Sequence, residues 1–351
     1  MREYMDFEKP LKELEGRISR LVKSKSKKVS VQETIIKYSK QLAEMEQELF
    51  ANLSPWQRSQ IARHPQRPSI TNYLEEVTEN FVELHGDRLF GEDRAIIGGL
   101  ATWKGRSVMV IGHEKGKSLK ERMRRNFGMA KPEGYRKALR LMKFAEKFKR
   151  PIVTFIDTPG AYPGVDAEQR GQAQAIARNL LEMARLTVPI IAVVTGEGGS
   201  GGALALGVAD RVLMLEHAMY SVISPEGCAA ILWGDAAKSA EAATALGMTA
   251  PELLKLKIID DVIPEPFGGA HRDIPTTAKR VSDTLDTHFL QLQNISIPTL
   301  LKQREAKFRN LGTFGSSRAK IPKSWYIWLF QSRHQTGQNG QFLSHIPCFG
   351  S

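Results

Sequence analysis

Cysteine is scarce in this chain: its 351 residues hold only Cys228 and Cys348. The two lie far apart, and no His/Cys cluster has ligand spacing, so neither a disulfide framework nor a metal site is expected. Long apolar runs are missing too. None approaches the roughly 18 residues of a membrane span, and the first thirty residues are too charged for a secretory signal. This points to a reducing, cytoplasm-like compartment and no membrane partner. Acid is lacking in two places. Between Lys104 and Arg150, 16 Lys/Arg face only four Glu (Glu114, Glu121, Glu133, Glu146), so this segment carries the whole formal excess of +12. Such a run implies a phosphate-bearing cofactor, nucleic acid or an acidic protein surface, or simply a solvated face. Aromatics are not interleaved with these charges, which argues against a stacking platform for single strands. From 313 to 351 there is no Asp or Glu. Trp325, Tyr326, Trp328, Leu329 and Phe330 recur there with neither helical nor strand period, and this atypical tail is expected to be disordered.

What remains is ordinary globular composition, 42% hydrophobic and 25% charged, enough for one large core or two modest ones. Leu11, Leu14, Ile18 and Leu21 recur at helical spacing. Past the break Lys23-Ser24-Lys25-Ser26-Lys27-Lys28, so do Ile35, Tyr38, Leu42, Met45 and Leu49. These two stripes predict an N-terminal helical hairpin over 1–53 that docks on a body spanning 54–312. Ser69 to Leu84 reads as a helix. Ile96–Trp103, Lys104-Gly105-Arg106 and Ser107–Gly112 read as strand, tight turn, strand. Helices over Gly134–Lys149 and Gln172–Leu186 alternate with buried strands at Pro151–Ile156 and Ile190–Thr195. Short strands at Arg211–Leu215 and Tyr220–Ile223 come next, then a helix from Ser224 to Trp233. This alternation makes the body α/β with right-handed crossovers.

The stretch the body presents is Gly196-Glu197-Gly198-Gly199-Ser200-Gly201-Gly202, expected as a bare loop between a strand and the helix start Ala203-Leu204-Ala205-Leu206. Five of its seven residues are glycine, so main-chain N–H groups at the positive end of a helix can meet a ligand directly. Such a site stabilises developing negative charge without acid or base side chains. Gly196, Gly198 and Gly201 also spell G-x-G-x-x-G, with Glu216 about twenty residues on, as in a dinucleotide-binding oxidoreductase. At least two candidate strands precede it, which weakens that reading but leaves it open. A nucleic-acid-binding regulator using the 104–150 segment is the third reading. Gly112 to Ser118 makes G-x-x-x-G-K-S, one residue short of a nucleotide-binding loop.

Arg124-Arg125-Asn126-Phe127-Gly128-Met129, Pro132-Glu133-Gly134-Tyr135-Arg136-Lys137-Ala138, Phe155 to Gly164 (FIDTPGAYPG), Gly196 to Ala205 (GEGGSGGALA) and Tyr220 to Cys228 (YSVISPEGC) occur in order. Together they resemble the carboxyltransferase α subunit of the bacterial and plastid type of acetyl-CoA carboxylase, from about Phe7 to Gly312. The resemblance implies an α/β, crotonase-like (ClpP/crotonase) fold of stacked ββα units and an α2β2 heterotetramer with a β subunit. The implied reaction moves a carboxyl group from carboxybiotin, held on a biotin carboxyl carrier protein that a biotin carboxylase loads, to acetyl-CoA. Malonyl-CoA results, the first committed step of fatty acid synthesis. The site would be cytoplasmic in a bacterium or stromal in a plastid, and the family's structural zinc belongs to the β subunit, so no metal is expected here. On this resemblance the Gly201 and Gly202 amides form an oxyanion hole for the biotin ureido oxygen. Gly198 and Gly199 help to bind the ring. Gly160, Ala161 and Gly164 line a neighbouring wall or only a rigid turn. Lys115, Lys117, Arg124 and Arg125 meet either CoA phosphates or the acidic carrier. Cys228 reads as core packing, His113 and His217 as structural, and Glu197 as a partner for loop amides.

Overall fold

The computed structural model describes residues 3–24 and 29–312. The expectation for 313–351 and part of the basic break at 23–28 fall outside them. The chain begins with α1 (Lys9–Lys23), α2 (Val29–Ala51), α3 (Pro55–Ala62) and α4 (Ile70–Val77). Of the apolar stripe residues, Leu11, Leu42, Met45 and Leu49 cluster with Phe7, Phe50, Leu53 and Ile61. Next come β1 (Glu79–Glu83), β2 (Ile96–Trp103), β3 (Arg106–His113), α5 (Leu119–Arg124), α6 (Pro132–Lys147) and β4 (Ile152–Thr158). The centre of the chain adds α7 (Val165–Gln169), α8 (Gln172–Arg185), β5 (Ile190–Gly199), α9 (Ser200–Leu204), β6 (Arg211–Leu215) and β7 (Met219–Ser221). The remainder is α10 (Pro225–Trp233), α11 (Ser239–Leu246), α12 (Ala250–Lys255), β8 (Asp261–Ile263), α13 (Ile274–Leu292) and α14 (Ile297–Arg309).

One mixed sheet runs β1-β2-β3-β4-β5-β6-β8, with β7 paired to β5 off that path. The first three strands are antiparallel and those from β3 onward parallel. Every residue of β4 and β5 is buried, as a parallel strand covered on both faces requires. Leu141 of α6 fits over Gly98 on one face. On the other, Trp103 Nε1 donates to Ser282 of α13 at 3.0 Å, and Tyr73 of α4 stacks on Phe155 with centroids 5.4 Å apart. The β2–β3 hairpin agrees with the sequence reading, with Lys104 and Gly105 both at positive φ in its turn.

Two expectations are corrected. The helix read over 69–84 stops at Val77, because Thr78 is already extended and β1 pairs with β2. That pairing needs Gly99, where a Cβ would lie 2.1 Å from the Val82 carbonyl oxygen. The apolar spacing of Phe81 and Leu84 fits either period, and the sheet decides it. Likewise β5 does not end at Thr195. It continues through Gly199, because Glu197, Gly198 and Gly199 pair with Met219, Tyr220 and Ser221 of β7.

The C-terminal helix is fastened by Arg304, 1% exposed. Its Nε and Nη2 reach both Asp210 oxygens at 2.8 and 2.7 Å, and its remaining N–H groups serve the carbonyls of Met183, Leu186 and Val188. All five guanidinium donors are used. Arg304→Met would leave Asp210 buried without its partner, so unfolding in urea is expected to show a loss of about 3–5 kcal/mol. A loss under about 1 kcal/mol, the scale of an exposed pair, would contradict this role.

Candidate functional site

The carboxyl ends of β3, β4 and β5 converge, the usual place for a ligand in an open parallel sheet. β4 gives way to Pro159-Gly160-Ala161, and β5 turns into α9 at Ser200, whose φ of 47° lies in the left-handed region. A strained non-glycine residue of this kind, between strand and helix, is a mark of functional turns. The first turn of α9 contains Gly201 and Gly202, and no side chain caps it. First-turn N–H groups have no intrahelical acceptor, which leaves the amides of the half-buried Gly201 and the buried Gly202 as the candidate donors. Gly202 lies against the β4 loop: a Cβ there would sit 2.6 Å from the Gly160 carbonyl carbon and 2.8 Å from the Ala161 nitrogen. Gly160, at φ 156°, has nothing within 4 Å of its missing side chain, and Gly201 faces only Ile176, at 3.5 Å. Gly160, Ala161, Gly201 and Gly202 are thereby brought together around one open face.

Gly198 and Gly199 are corrected. Both are buried inside β5, with their missing side chains filled by Tyr220 and by the Pro159 carbonyl. They hold strands together and offer no surface to a ring. Gly164 caps α7 against Tyr162 and Asp166. The dinucleotide reading also loses its geometry. Gly196 and Gly198 lie within β5 rather than in a loop before a helix, and the Glu216 carboxylate accepts the Glu265 amide at 3.1 Å.

Beside the glycine face opens a cleft of about 510 Å³, lined by Arg63, Arg67, Lys115, Lys117, Arg122, Phe127, Asp157, Pro159 and Glu197 among others. Sequence reasoning passes over Arg63, Arg67 and Asp157. The signal is not local: Arg67 and its partner Glu265 are 198 positions apart. Arg67 is buried and paired with both Glu265 oxygens. Burial alone would raise the Glu265 carboxyl, but Arg67 and His217 hold it down at about 2. Lys115 Nζ lies 2.6 Å from Asp157 and 3.5 Å from Glu197, and Arg63 binds both Glu197 and Glu226. Among the expected phosphate or carrier contacts, Lys115 is therefore spent on carboxylates. Arg125 donates to the Arg94 carbonyl, Lys117 lies 4.0 Å from Glu75, and Arg124 is exposed. Cys228 is buried in a small apolar cluster, and His217 contacts Arg58, as packing roles require.

The Acetyl co-enzyme A carboxylase carboxyltransferase-like family model matches residues 4–312. The chain belongs to that family. It is 57% identical over 310 residues to the acetyl-coenzyme A carboxylase carboxyl transferase subunit alpha of Geobacter metallireducens, covering 88% of this chain and 98% of the relative. For the subunit of the same name from Halalkalibacterium halodurans the identity is 54%, covering 88% and 96%. The fold is shared with transcarboxylase 12S, at TM-score 0.51 and 20% identity over 71% of this chain and 43% of that one. It is shared also with a Pseudomonas malonate decarboxylase hetero-tetramer in complex with coenzyme A, at TM-score 0.52 and 17% identity over 70% and 92%. Among the described residues no group of His, Cys, Asp and Glu could hold a metal ion, and no helix is long and apolar enough to cross a membrane.

His113, at the end of β3, is 1% exposed, and burial pushes its imidazole down to about 4 despite the nearby Asp157 carboxylate. Neutral in the folded chain, it refuses a proton that the unfolded chain accepts below about pH 6.5. Stability should therefore fall as pH drops from about 6.5 to 4, by about 3 kcal/mol for this group. The His113 ring resonances in an NMR titration are expected to move near pH 4. A midpoint near the ordinary histidine value of about 6.5 would contradict the burial argument.

Proposed function

We propose that the chain transfers a carboxyl group from carboxybiotin, carried on a biotin carboxyl carrier protein, to acetyl-CoA, forming malonyl-CoA together with a β subunit in an α2β2 assembly. A biotin carboxylase would reload the carrier. The observation that carries this reading is the uncapped first turn at Gly201 and Gly202, set against the Gly160–Ala161 backbone in a chain that α subunits match over nearly their whole length. When bound, carboxybiotin supplies the carboxyl group and leaves negative charge on its ureido oxygen. The donor set suits that group: two main-chain N–H groups at a helix start favour an anion and need no proton of their own. Gly160, with nothing within 4 Å of its missing side chain, leaves room for a flat ring. The enolate oxygen of the acetyl group falls to donors of the β subunit. On the same reading residues 1–53 form a hairpin arm and 54–312 the catalytic body.

The surface next to the donors fits a protein partner. Val222 is 74% exposed, Ile231 75% and Leu232 62%, with Trp233 partly open beside them. Val222 comes directly after the strand that pairs with Glu197–Gly199 and shares a groove of about 260 Å³ with Ser200 and Leu204 of the donor turn. Exposed apolar side chains of this kind mark an interface, and the β subunit is the occupant that would complete the site. Ile231→Asp with Leu232→Asp should abolish association with the β subunit in sedimentation while leaving the melting temperature of the lone chain unchanged. Retained association would contradict this placement.

The donor pair is tested by turnover of malonyl-CoA with biotin in the assembled enzyme. Gly202→Ala pushes a methyl group into the Gly160–Ala161 backbone and should lower kcat by about 100-fold or more, the scale of one lost oxyanion donor. Gly201→Ala meets only Ile176 at ordinary contact distance and should keep most of the turnover. Unchanged kcat in Gly202→Ala would remove the assignment.

A further inference from the structure

The two strands that carry the site fall out of step just before it. Ile156 of β4 pairs with Val194 of β5, but Thr158 pairs with Gly198. β5 therefore arches through Thr195, Gly196 and Glu197 opposite the single residue Asp157. A bulge beside an active site re-aims the backbone beyond it. Here that backbone is Gly199, the left-handed Ser200 and the amides of α9.

Each residue of the arch is held from the side. The Thr195 carbonyl accepts from Arg67 Nε at 2.6 Å. Gly196 has no room for a side chain, since a Cβ would lie 2.4 Å from Asp157 Oδ1. The Glu197 N–H donates to that same oxygen at 2.8 Å. Lys115 Nζ sits 2.6 Å from Asp157 Oδ1 and 3.5 Å from Glu197 Oε2, so one ammonium neutralises the carboxylate that fills the arch and the carboxylate that leaves it. Arg63 holds the other Glu197 oxygen at 2.8 Å and ties it to Glu226 at the start of α10. The Asp157 and Glu197 side chains are 9% and 7% exposed. Without a cation between them, two such carboxylates would repel in a poorly solvated place.

We propose that Lys115 is a positioning residue for carboxyl transfer: through Asp157 and Glu197 it holds the β5 bulge in the shape that aims the Gly201 and Gly202 amides. This rests on those amides being the oxyanion donors. It also gives Lys115 a task other than binding a phosphate or the carrier.

The test uses steady-state turnover of malonyl-CoA with biotin by the assembled enzyme. Lys115→Met is expected to lower kcat about 10- to 100-fold, the cost of a donor displaced by up to about 1 Å, with KM for both substrates unchanged. Lys115→Arg should restore most of it. Asp157→Asn keeps an acceptor for the Glu197 amide but loses the ion pair, and should show a similar kcat defect. Because both changes break one network, the double variant should be no worse than either single. A rise in KM at unchanged kcat would make Lys115 a substrate contact and overturn the proposal. So would a lowered melting temperature with unchanged kcat, additive defects in the double variant, or failure of Lys115→Arg to restore turnover. Gly202→Ala in the same assay separates the two readings. If it leaves kcat intact, the donor assignment itself fails. If it abolishes kcat while Lys115→Met does not, only the role of Lys115 fails.

Discussion

A carboxylate fills the gap where two neighbouring parallel strands lose register. Asp157 accepts the Glu197 amide inside the bulge of β5, and Lys115 supplies the charge that lets it stay there. That single arrangement has three consequences. Gly196 can carry no side chain, β5 runs on to pair with β7, and the chain reaches Ser200 at an angle that starts a helix against the Gly160–Ala161 backbone. The proposed catalytic groups are main-chain amides, which have no rotamers to adjust. Their aim is set entirely by the path of the strand before them, so the ion pairs beneath that strand matter to chemistry as well as to stability.

The same economy explains the fate of the basic segment. Its positive charges do not form one face. Lys104 and Arg106 pair with Asp283 and Asp286 on α13, Lys131 with Asp166, Arg136 with Asp87, and Lys143 with Glu146 and Glu182. Lys137 is fully buried, bonded to Glu92 and to the carbonyls of Asp93 and Ile96. These acids neutralise part of the run, while Lys120, Arg124, Lys147, Lys149 and Arg150 stay exposed. Much of what looks in sequence like one electrostatic footprint is internal bracing, and the charge left exposed is smaller than the run of 16 suggests.

Local pattern carries much of the fold. The alternation of strand and helix, the β2–β3 hairpin and the buried strands β4 and β5 are all legible, because periodicity and turn chemistry act over a few residues. Misreadings arise where a long-range partner decides. Phe81 and Leu84 fit a helix stripe until β2 is available to pair with, and the glycines at 198 and 199 read as bare loop until β7 arrives from about twenty residues downstream. In the site, the donor glycines can be read because a glycine cluster between strand and helix is itself a local signal. Arg63, Arg67 and Asp157 cannot, since their meaning lies in Glu226, Glu265 and a bulge that only the assembled sheet creates.

The proposed catalysis rests on the two amides opening α9, which would donate to the anion. A crystal structure of the assembled enzyme with biotin bound tests this most directly. The expected result places the ureido oxygen about 2.7–3.1 Å from the Gly201 and Gly202 nitrogens, the distance of a working oxyanion hole. Those nitrogens bonded instead to protein carbonyls, or the ureido oxygen held by Arg63 and Lys115 in the neighbouring cleft, would contradict it.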